Sequence, residues 1–521
     1  MKMKNRGKTV WFISLNLFLF FTAIYLLTSS YTSVYDTDAS NARYQVTKSI
    51  VERFDLSMPT GMGVKGIDGR DYSWFGLGNS LLAVPFYIIG KYLGTPENAV
   101  SIMNLLIGSA TAVLVFMFSV ALGYSNRTSV FISIFYGLGT FAWPLAKQPF
   151  DHTVETFFVL LSVYFAYLYT LKKESRHLLF SAFGLGFAFI TRLTSTLIFP
   201  ALLLLMSASV YNRSNLRGTF RTLSRDMFLF SVVFLPFVCL NLWYNNYRFG
   251  SIFETGYSLI ASKTGIDFFS GTPLITGLSG LLISPGKGFF YYSPIAILSL
   301  FSFRSFMKKH RALSFSFLLI IVSYLLFLSK NIYWHGDWAW GPRYLLVLTP
   351  FFIIPIAGFL DSTQWRKKQF AKMALYFIFT VSLIIQLLAV TIYFQMYFFH
   401  LVYEEKVKFS VVLGRGVQSI SEPPSEVYFN WHYSPIIKHF FFIYEIAKRM
   451  PIYSYAEPPE DASIYDKLKT VPSYNVFDFW WIHRYFIERS SSGFIIALML
   501  LLIAIYTAVK LRNITNAYED T

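Results

Sequence analysis

The chain has 521 residues, of which 55% are apolar and only 14% charged; a soluble chain carries about 25% charged residues, so a string of soluble domains is excluded. Aromatic residues reach 20%, with 56 Phe and 35 Tyr, as suits surfaces that face lipid and its interfaces. The net charge of +17, from 45 Lys and Arg against 28 Asp and Glu, would ordinarily suggest nucleic acid or an anionic membrane surface, and the apolar content excludes the first.

The single cysteine, Cys239, rules out an intrachain disulfide and a Cys-based zinc site. The expectation is an all-α polytopic membrane protein.

A span needs about 20 apolar residues. The first, near 10–29, follows the basic stretch Met-Lys-Met-Lys-Asn-Arg-Gly-Lys. It is too long for a signal peptide and lacks a small-residue cleavage site, so it reads as a signal anchor with a cytoplasmic N-terminus. Further spans are predicted near 98–123, 128–144, 153–171, 177–191, 195–211, 227–245, 289–306, 312–329, 344–360, 373–396 and 492–509, roughly twelve in all. Segment 74–93 is also apolar, but it contains three glycines, a proline and a lysine. Counting it as a span would put Lys172/Lys173/Arg176, Arg213/Arg217/Arg221/Arg225, Lys308/Lys309/Arg311 and Arg366/Lys367/Lys368 outside. Leaving it out puts them all inside, as the positive-inside rule requires. Segment 74–93 is therefore predicted to be a juxtamembrane helix, and both termini cytoplasmic.

With that topology the outer face carries loop 30–97, turn 145–153, loop 246–288, turn 330–343 and the long stretch 397–490. Loop 30–97 opens with Tyr35-Asp36-Thr37-Asp38, ahead of a helix predicted over 39–53, whose period suits a surface helix. Asp38 would serve either as N-cap of that helix or as a general base on an acceptor hydroxyl or amine. The Asp-X-Asp spacing also suits a divalent cation with oxygen ligands.

Turn Lys147-Gln-Pro-Phe-Asp151-His152-Thr-Val-Glu155 gathers ionisable groups at the outer ends of two spans. Asp151 and Glu155 would share a face if a helix starts there. Such groups at a membrane boundary are functional candidates, although acids also favour helix N-termini through the dipole. Arg192 stands alone between two apolar runs, a costly position unless it meets an anion or snorkels to headgroups.

Loop 246–288 contributes Tyr257 and the run Ser-Pro-Gly-Lys287-Gly, which is not a nucleotide-binding P-loop. Turn 330–343 reads Tyr333-Trp-His335-Gly-Asp337-Trp338-Ala-Trp340-Gly-Pro-Arg343. The aromatic belt accounts for its tryptophans but not for the interleaved His335, Asp337 and Arg343. Aromatic faces stack on sugar rings, and Arg forks onto phosphate.

Together, the acidic first loop, its juxtamembrane helix and the acidic turn after it resemble the GT-C fold. This is the fold of protein O-mannosyltransferases, aminoarabinose transferases and the catalytic subunits of oligosaccharyltransferases. The stretches Asp68-Gly-Arg-Asp-Tyr-Ser-Trp-Phe-Gly-Leu-Gly-Asn-Ser, Phe-Gly-Ser-X-X-Glu-Thr-Gly-Tyr, Ser-Pro-Gly-Lys-Gly and Trp-Gly-Pro-Arg-Tyr-Leu look like a bacterial branch related to the mannosyltransferases. The resemblance covers about residues 10–345.

It implies an inverting hexosyl- or pentosyltransferase of the inner membrane, multi-pass, with its active site on the extracytoplasmic side. A sugar would pass from a polyprenyl-phosphate donor to a glycan, lipid or protein acceptor. Besides donor and acceptor the partners are membrane lipids, and not nucleic acid. The division that follows is a transmembrane catalytic module at 1–396, an extracytoplasmic subdomain at 397–490, and a last span with a cytoplasmic tail at 491–521. Asp38 or Asp36 takes the place of the first-loop acid and Asp151 that of the second. Arg192, Lys287, Arg343 and His152 are the candidates for the donor phosphate. Tyr257, His335, Asp337, Trp338 and Trp340 are those for sugar and acceptor. The family's usual adjacent Asp-Glu is Asp-Thr-Asp here. A monophosphate can depart onto Arg and Lys alone, so a divalent metal is not the favoured reading. The alternative is a transporter or lipid flippase, but those carry mid-membrane charges and inverted repeats, and here the charges gather at one face.

Overall fold

The structure, a computed structural model, describes residues 2–31, 37–148, 150–211, 214–264, 271–336, 339–361, 368–407, 410–414, 417–422, 425–454, 470 and 472–517. Among these, nine helices are long and apolar enough to cross a membrane: Gly7–Leu27, Pro96–Ala121, Asp151–Lys172, Leu193–Val210, Leu216–Phe249, Arg311–Ser329, Arg343–Leu360, Gln369–Thr391 and Ser492–Asn516. The chain is a helical, multi-pass membrane protein.

From the N-terminus, α1 (Lys2–Leu27) leads into the first loop, which holds α2 (Asp38–Arg53), strands β1 (Ser57–Met58), β2 (Val64–Lys65) and β3 (Asp71–Tyr72), and α3 (Gly78–Tyr92). After it come α4 (Pro96–Ala121), α5 (Asn126–Gly139), the short α6 (Ala142–Ala146), α7 (Asp151–Lys172) and α8 (Ser175–Thr191). Three predicted spans are thus helical but short or interrupted. Region 128–144 is split between α5 and α6 at the extended residue Thr140. Region 177–191 is the 17-residue α8. Region 289–306 breaks around Ser293-Pro294 into Phe289–Tyr292 and Ile297–Lys309, since proline lacks the N–H that an α-helix interior needs.

The juxtamembrane helix expected at 74–93 is α3, 15 residues long and packed against α2 and α4. The helix expected at 39–53 is α2, and its cap is Thr37, whose hydroxyl oxygen accepts the Ser40 N–H at 3.2 Å. Asp38 therefore lies in the first turn of α2, and the capping role weighed for it belongs to Thr37.

The three strands form a small antiparallel sheet in the order β1-β3-β2, with Ser57 opposite Tyr72 and Val64 opposite Tyr72. This patch is stitched to the end of helix Leu216–Phe249. The buried Arg248 guanidinium donates to the carbonyls of Tyr244 (3.0 Å) and Ser73, and the Ile67 N–H donates to the Arg248 carbonyl at 3.1 Å. Ala42, Val46, Met58, Leu77 and Tyr244 fill a small apolar core beneath it.

A second, much larger apolar core runs from α1 to the last helix, Ser492–Ala517, and takes in Tyr428, Phe442, Ile446 and Tyr474 from the 397–490 stretch. That stretch therefore packs onto the bundle. Its Asp478 accepts a buried 2.8 Å ion pair from Lys147, which also donates to the Val390 and Asp478 carbonyls at 2.6 Å each. Ser30 donates to Asp478 at 2.9 Å, Trp480 N–H to the Ser29 carbonyl at 2.9 Å, and Tyr31 to Glu488 at 2.7 Å. These bonds fix the chain as it leaves α1, just ahead of the acidic motif.

Candidate active site

The breaks between helices bring the candidate side chains together. α7 begins at Asp151 after Phe150, whose side chain cannot cap, and Asn104 of α4 donates its amide to the carbonyls of Gln148 and Phe150 at 2.7 Å each. α8 ends where Arg192 turns extended, and a 3₁₀ helix, Leu193–Ile198, follows. Arg343 opens another 3₁₀ helix, Arg343–Leu348, directly after Pro342.

At this junction Arg43, on α2, donates to Asp151 Oδ2 at 2.7 Å with both side chains buried. Arg192 approaches Asp151 Oδ1 at 3.2 Å through Nη1 and Glu155 Oε2 at 3.1 Å through Nε. Asp151 and Glu155, one turn apart, thus meet the same guanidinium, as their spacing predicts. Glu155 Oε1 also accepts from Tyr324 (3.0 Å), Thr194 (3.1 Å) and Ser195 (3.2 Å). His152 lies with Nδ1 at 3.2 Å from Asp151 Oδ1, and its ring is 5.3 Å from that of Tyr344. The Arg343 guanidinium sits over the rings of Phe150 (4.5 Å) and Tyr344 (5.1 Å), and Arg192 over Tyr344 (5.5 Å). Tyr257 lies within electrostatic reach of Arg192, Asp151 and Arg43.

Two guanidinium groups, Arg43 and Arg192, thus pair with the two carboxylates, and a third, Arg343, stands beside them over Phe150 and Tyr344. Burying such charges is tolerable only when each is paired and hydrogen-bonded, and Arg43 and Arg192 meet that condition through Asp151 and Glu155. The Arg192 side chain is 19% exposed against 2% for both acids, so the cluster reaches the surface through a cation. An anion that approaches this junction meets the Arg192 guanidinium.

The first loop is pressed onto this junction. A Cβ on Gly76 would collide with the Thr191 carbonyl, and one on Gly78 with the Thr191 hydroxyl. Two glycines therefore permit the backbone before α3 to touch the residue next to Arg192.

Of the residues singled out from the sequence, Asp151, His152, Arg192, Arg343 and Tyr257 meet here. Lys287, His335 and Trp340 are buried in or against the segment that leads to Arg343. Lys287 is fully buried and donates to the Ala339 carbonyl at 2.6 Å, with its ammonium over the rings of Phe394 and Tyr428. His335 stacks on Tyr428 with centroids 4.5 Å apart, and Trp340 lies against Tyr292 (5.0 Å) and His439 (4.6 Å). Asp36, Asp337 and Trp338 lie outside the described residues, as does the side chain of Asp38. Sequence reasoning passed over Arg43 and Tyr324. Arg43 carried a weak signal, a lone cation between Ala42 and Tyr44 on a helix otherwise read as a surface helix. Among the described residues no group of three or more His, Cys, Asp or Glu side chains is arranged to hold a metal ion.

No protein-family model and no curated protein matches the chain. Among solved structures it is similar to ArnT from Cupriavidus metallidurans bound to undecaprenyl phosphate, at 12% identity and a TM-score of 0.47, over 96% of this chain and 78% of that one. It is also similar to the archaeal oligosaccharyltransferase AglB from Archaeoglobus fulgidus in complex with an inhibitory peptide and a dolichol-phosphate, at 9% identity and a TM-score of 0.45, over 79% of this chain and 61% of that one.

Proposed function

We propose that the chain is an inverting glycosyltransferase of the GT-C class, acting at the extracytoplasmic face of the inner membrane. Its donor is a sugar on a polyprenyl monophosphate, and its acceptor a hydroxyl or amine of a glycan, lipid or protein. The observation that carries this reading is the cluster of Arg43, Arg192 and Arg343 around Asp151 and Glu155, with Arg192 at its exposed edge. A phosphodiester carries one negative charge, which can meet the Arg192 guanidinium at that edge.

In the transfer, the acceptor oxygen or nitrogen bonds to the anomeric carbon as the bond from that carbon to the phosphate oxygen breaks. The negative charge that grows on the leaving phosphate is stabilised by Arg192 and Arg343, held in place before the reaction. Asp38, or Asp36 two residues earlier, takes the acceptor proton. Asp151 is bound by two guanidinium groups, so its role is to hold those cations rather than to accept a proton. His335, Trp340 and Lys287 are buried, so their role is to hold the segment that leads to Arg343, to which Lys287 is bonded at Ala339.

The test is to incubate purified protein with a panel of polyprenyl-phosphate sugars and candidate acceptors, and to measure release of polyprenyl phosphate. Wild-type protein releases it and Asp38→Asn does not, although it is expressed normally. No release from any donor would overturn the reading, and full activity in both Asp38→Asn and Asp36→Asn would remove the base assignment.

A further inference from the structure

Helix Pro435–Arg449 has two faces of different kinds. Pro435, His439, Phe442 and Ile446 are buried, while Ile437, Phe440, Phe441 and Tyr444 are exposed. The exposed set is spaced i, i+3, i+4, i+7, a single stripe on an α-helix. Lys438, Glu445 and Arg449 lie together on one flank between the two stripes. Three large aromatic side chains in one exposed stripe are more than scattered surface residues account for.

The buried face fixes where this stripe sits. His439 Nδ1 lies 3.1 Å from the carbonyl of Leu388, three residues before the end of the membrane-spanning helix Gln369–Thr391. On that span Leu387, Ile384, Phe377, Tyr376 and Met373 are exposed and face the acyl chains. The helix therefore packs beside the end of a span, close to the depth where that span leaves the hydrocarbon. Aromatic side chains favour that depth, and the Lys448 ammonium, 4.0 Å from the Tyr444 ring centroid, is a cation suited to anionic headgroups.

We propose that helix Pro435–Arg449 is an interfacial membrane helix, with Ile437, Phe440, Phe441 and Tyr444 inserted between lipid headgroups and the upper acyl chains. Its partner is the bilayer itself. Through its inner face the helix touches Trp340, whose ring is 4.6 Å from that of His439. The bilayer thus supports the loop that ends at Arg343. This placement stands independently of the proposed glycosyl transfer.

Nitroxide labelling in proteoliposomes tests it. With Cys239→Ser removing the native thiol, single cysteines are placed at Ile437, Phe440, Phe441 and Tyr444, and one at Glu445 on the charged flank. Collision of each label with oxygen, which concentrates in lipid, is compared with collision with a water-soluble nickel chelate. Oxygen dominates at the four stripe positions and the balance shifts towards nickel at 445. Nickel dominating at all four positions would show a water-facing helix. Exclusion of both reagents would show a face covered by protein, a second copy included. Either result overturns the proposal. The readout needs no catalysis, so it stays informative if the transfer activity is not found.

Discussion

Arg43 and Asp151 are 108 residues apart in sequence and form a buried 2.7 Å ion pair. The pair ties α2, which starts with Asp38, to the first turn of α7, while Arg43 Nη1 also holds the carbonyl of Ala39 at 3.0 Å. One guanidinium thus bridges the turn that carries the proposed base and the carboxylate that holds Arg192. In the proposed transfer, this contact would hold the base against the leaving phosphate.

Arg43→Gln is expected to abolish most transfer and to destabilise the protein by about 3–5 kcal/mol, because it leaves a buried carboxylate short of a partner. Adding Asp151→Asn removes that stranded charge. Thermal unfolding of the double variant should recover much of the loss, while transfer stays low. Recovery of transfer along with stability would show that the pair is only structural.

Arg192→Gln should raise the donor KM by roughly 10–100-fold, since a hydrogen bond to a charged group contributes about 1.5–3 kcal/mol. Arg192→Lys should rescue poorly, because a single ammonium cannot span Asp151, Glu155 and a phosphate as a planar fork does. Steady-state kinetics with varied donor checks both. An unchanged donor KM in the glutamine variant would move the phosphate elsewhere.

Lys147→Met should destabilise the protein by about 3–5 kcal/mol by stranding Asp478, and should loosen the chain after α1. Proteolysis near residues 29–31, compared with wild type by mass spectrometry, reads the second effect. Protection equal to wild type would mean that the tryptophan bonds from Trp480 and Trp481 to Leu26 and Leu27 suffice alone.

Glu405 is held by Lys438 at 2.5 Å, His432 at 3.2 Å and His400 at 3.3 Å. The Lys438 contact outweighs burial and draws its carboxyl from 4.5 down to about 2. Its contribution to stability is therefore complete above about pH 4.5 and is lost as pH falls towards 2. Glu405→Gln should lower the unfolding temperature at pH 7, and the gap from wild type should narrow below pH 4. A gap that widens in acid would contradict the assignment.

Much of this organisation was legible because it depends on local pattern. Long apolar runs marked the nine long helices along with three regions that are shorter or broken, and the basic clusters that a span at 74–93 would have put outside separated α3 from them. The i, i+4 spacing of Asp151 and Glu155 placed both on one face, and the cost of a lone Arg192 between apolar runs pointed to an anionic partner. What stayed hidden depends on packing between distant segments. Arg43 looked like part of a surface helix because nothing nearby in sequence shows that α7 covers it. Lys287 looked like a phosphate ligand beside flexible glycines, yet Tyr428, some 140 residues later, closes over it: the Gly286 N–H donates to the Tyr428 carbonyl at 2.9 Å. The N-cap shifted from Asp38 to Thr37 because either side chain can cap, and only the backbone decides which one does.

The central claim is that Arg192 binds the phosphate of a polyprenyl-linked donor. Thermal stabilisation of purified wild-type and Arg192→Gln protein by undecaprenyl phosphate tests it most directly. A concentration-dependent rise in unfolding temperature is expected for wild type, and little or none for the variant. No rise in wild type, or the same rise in both, would contradict it.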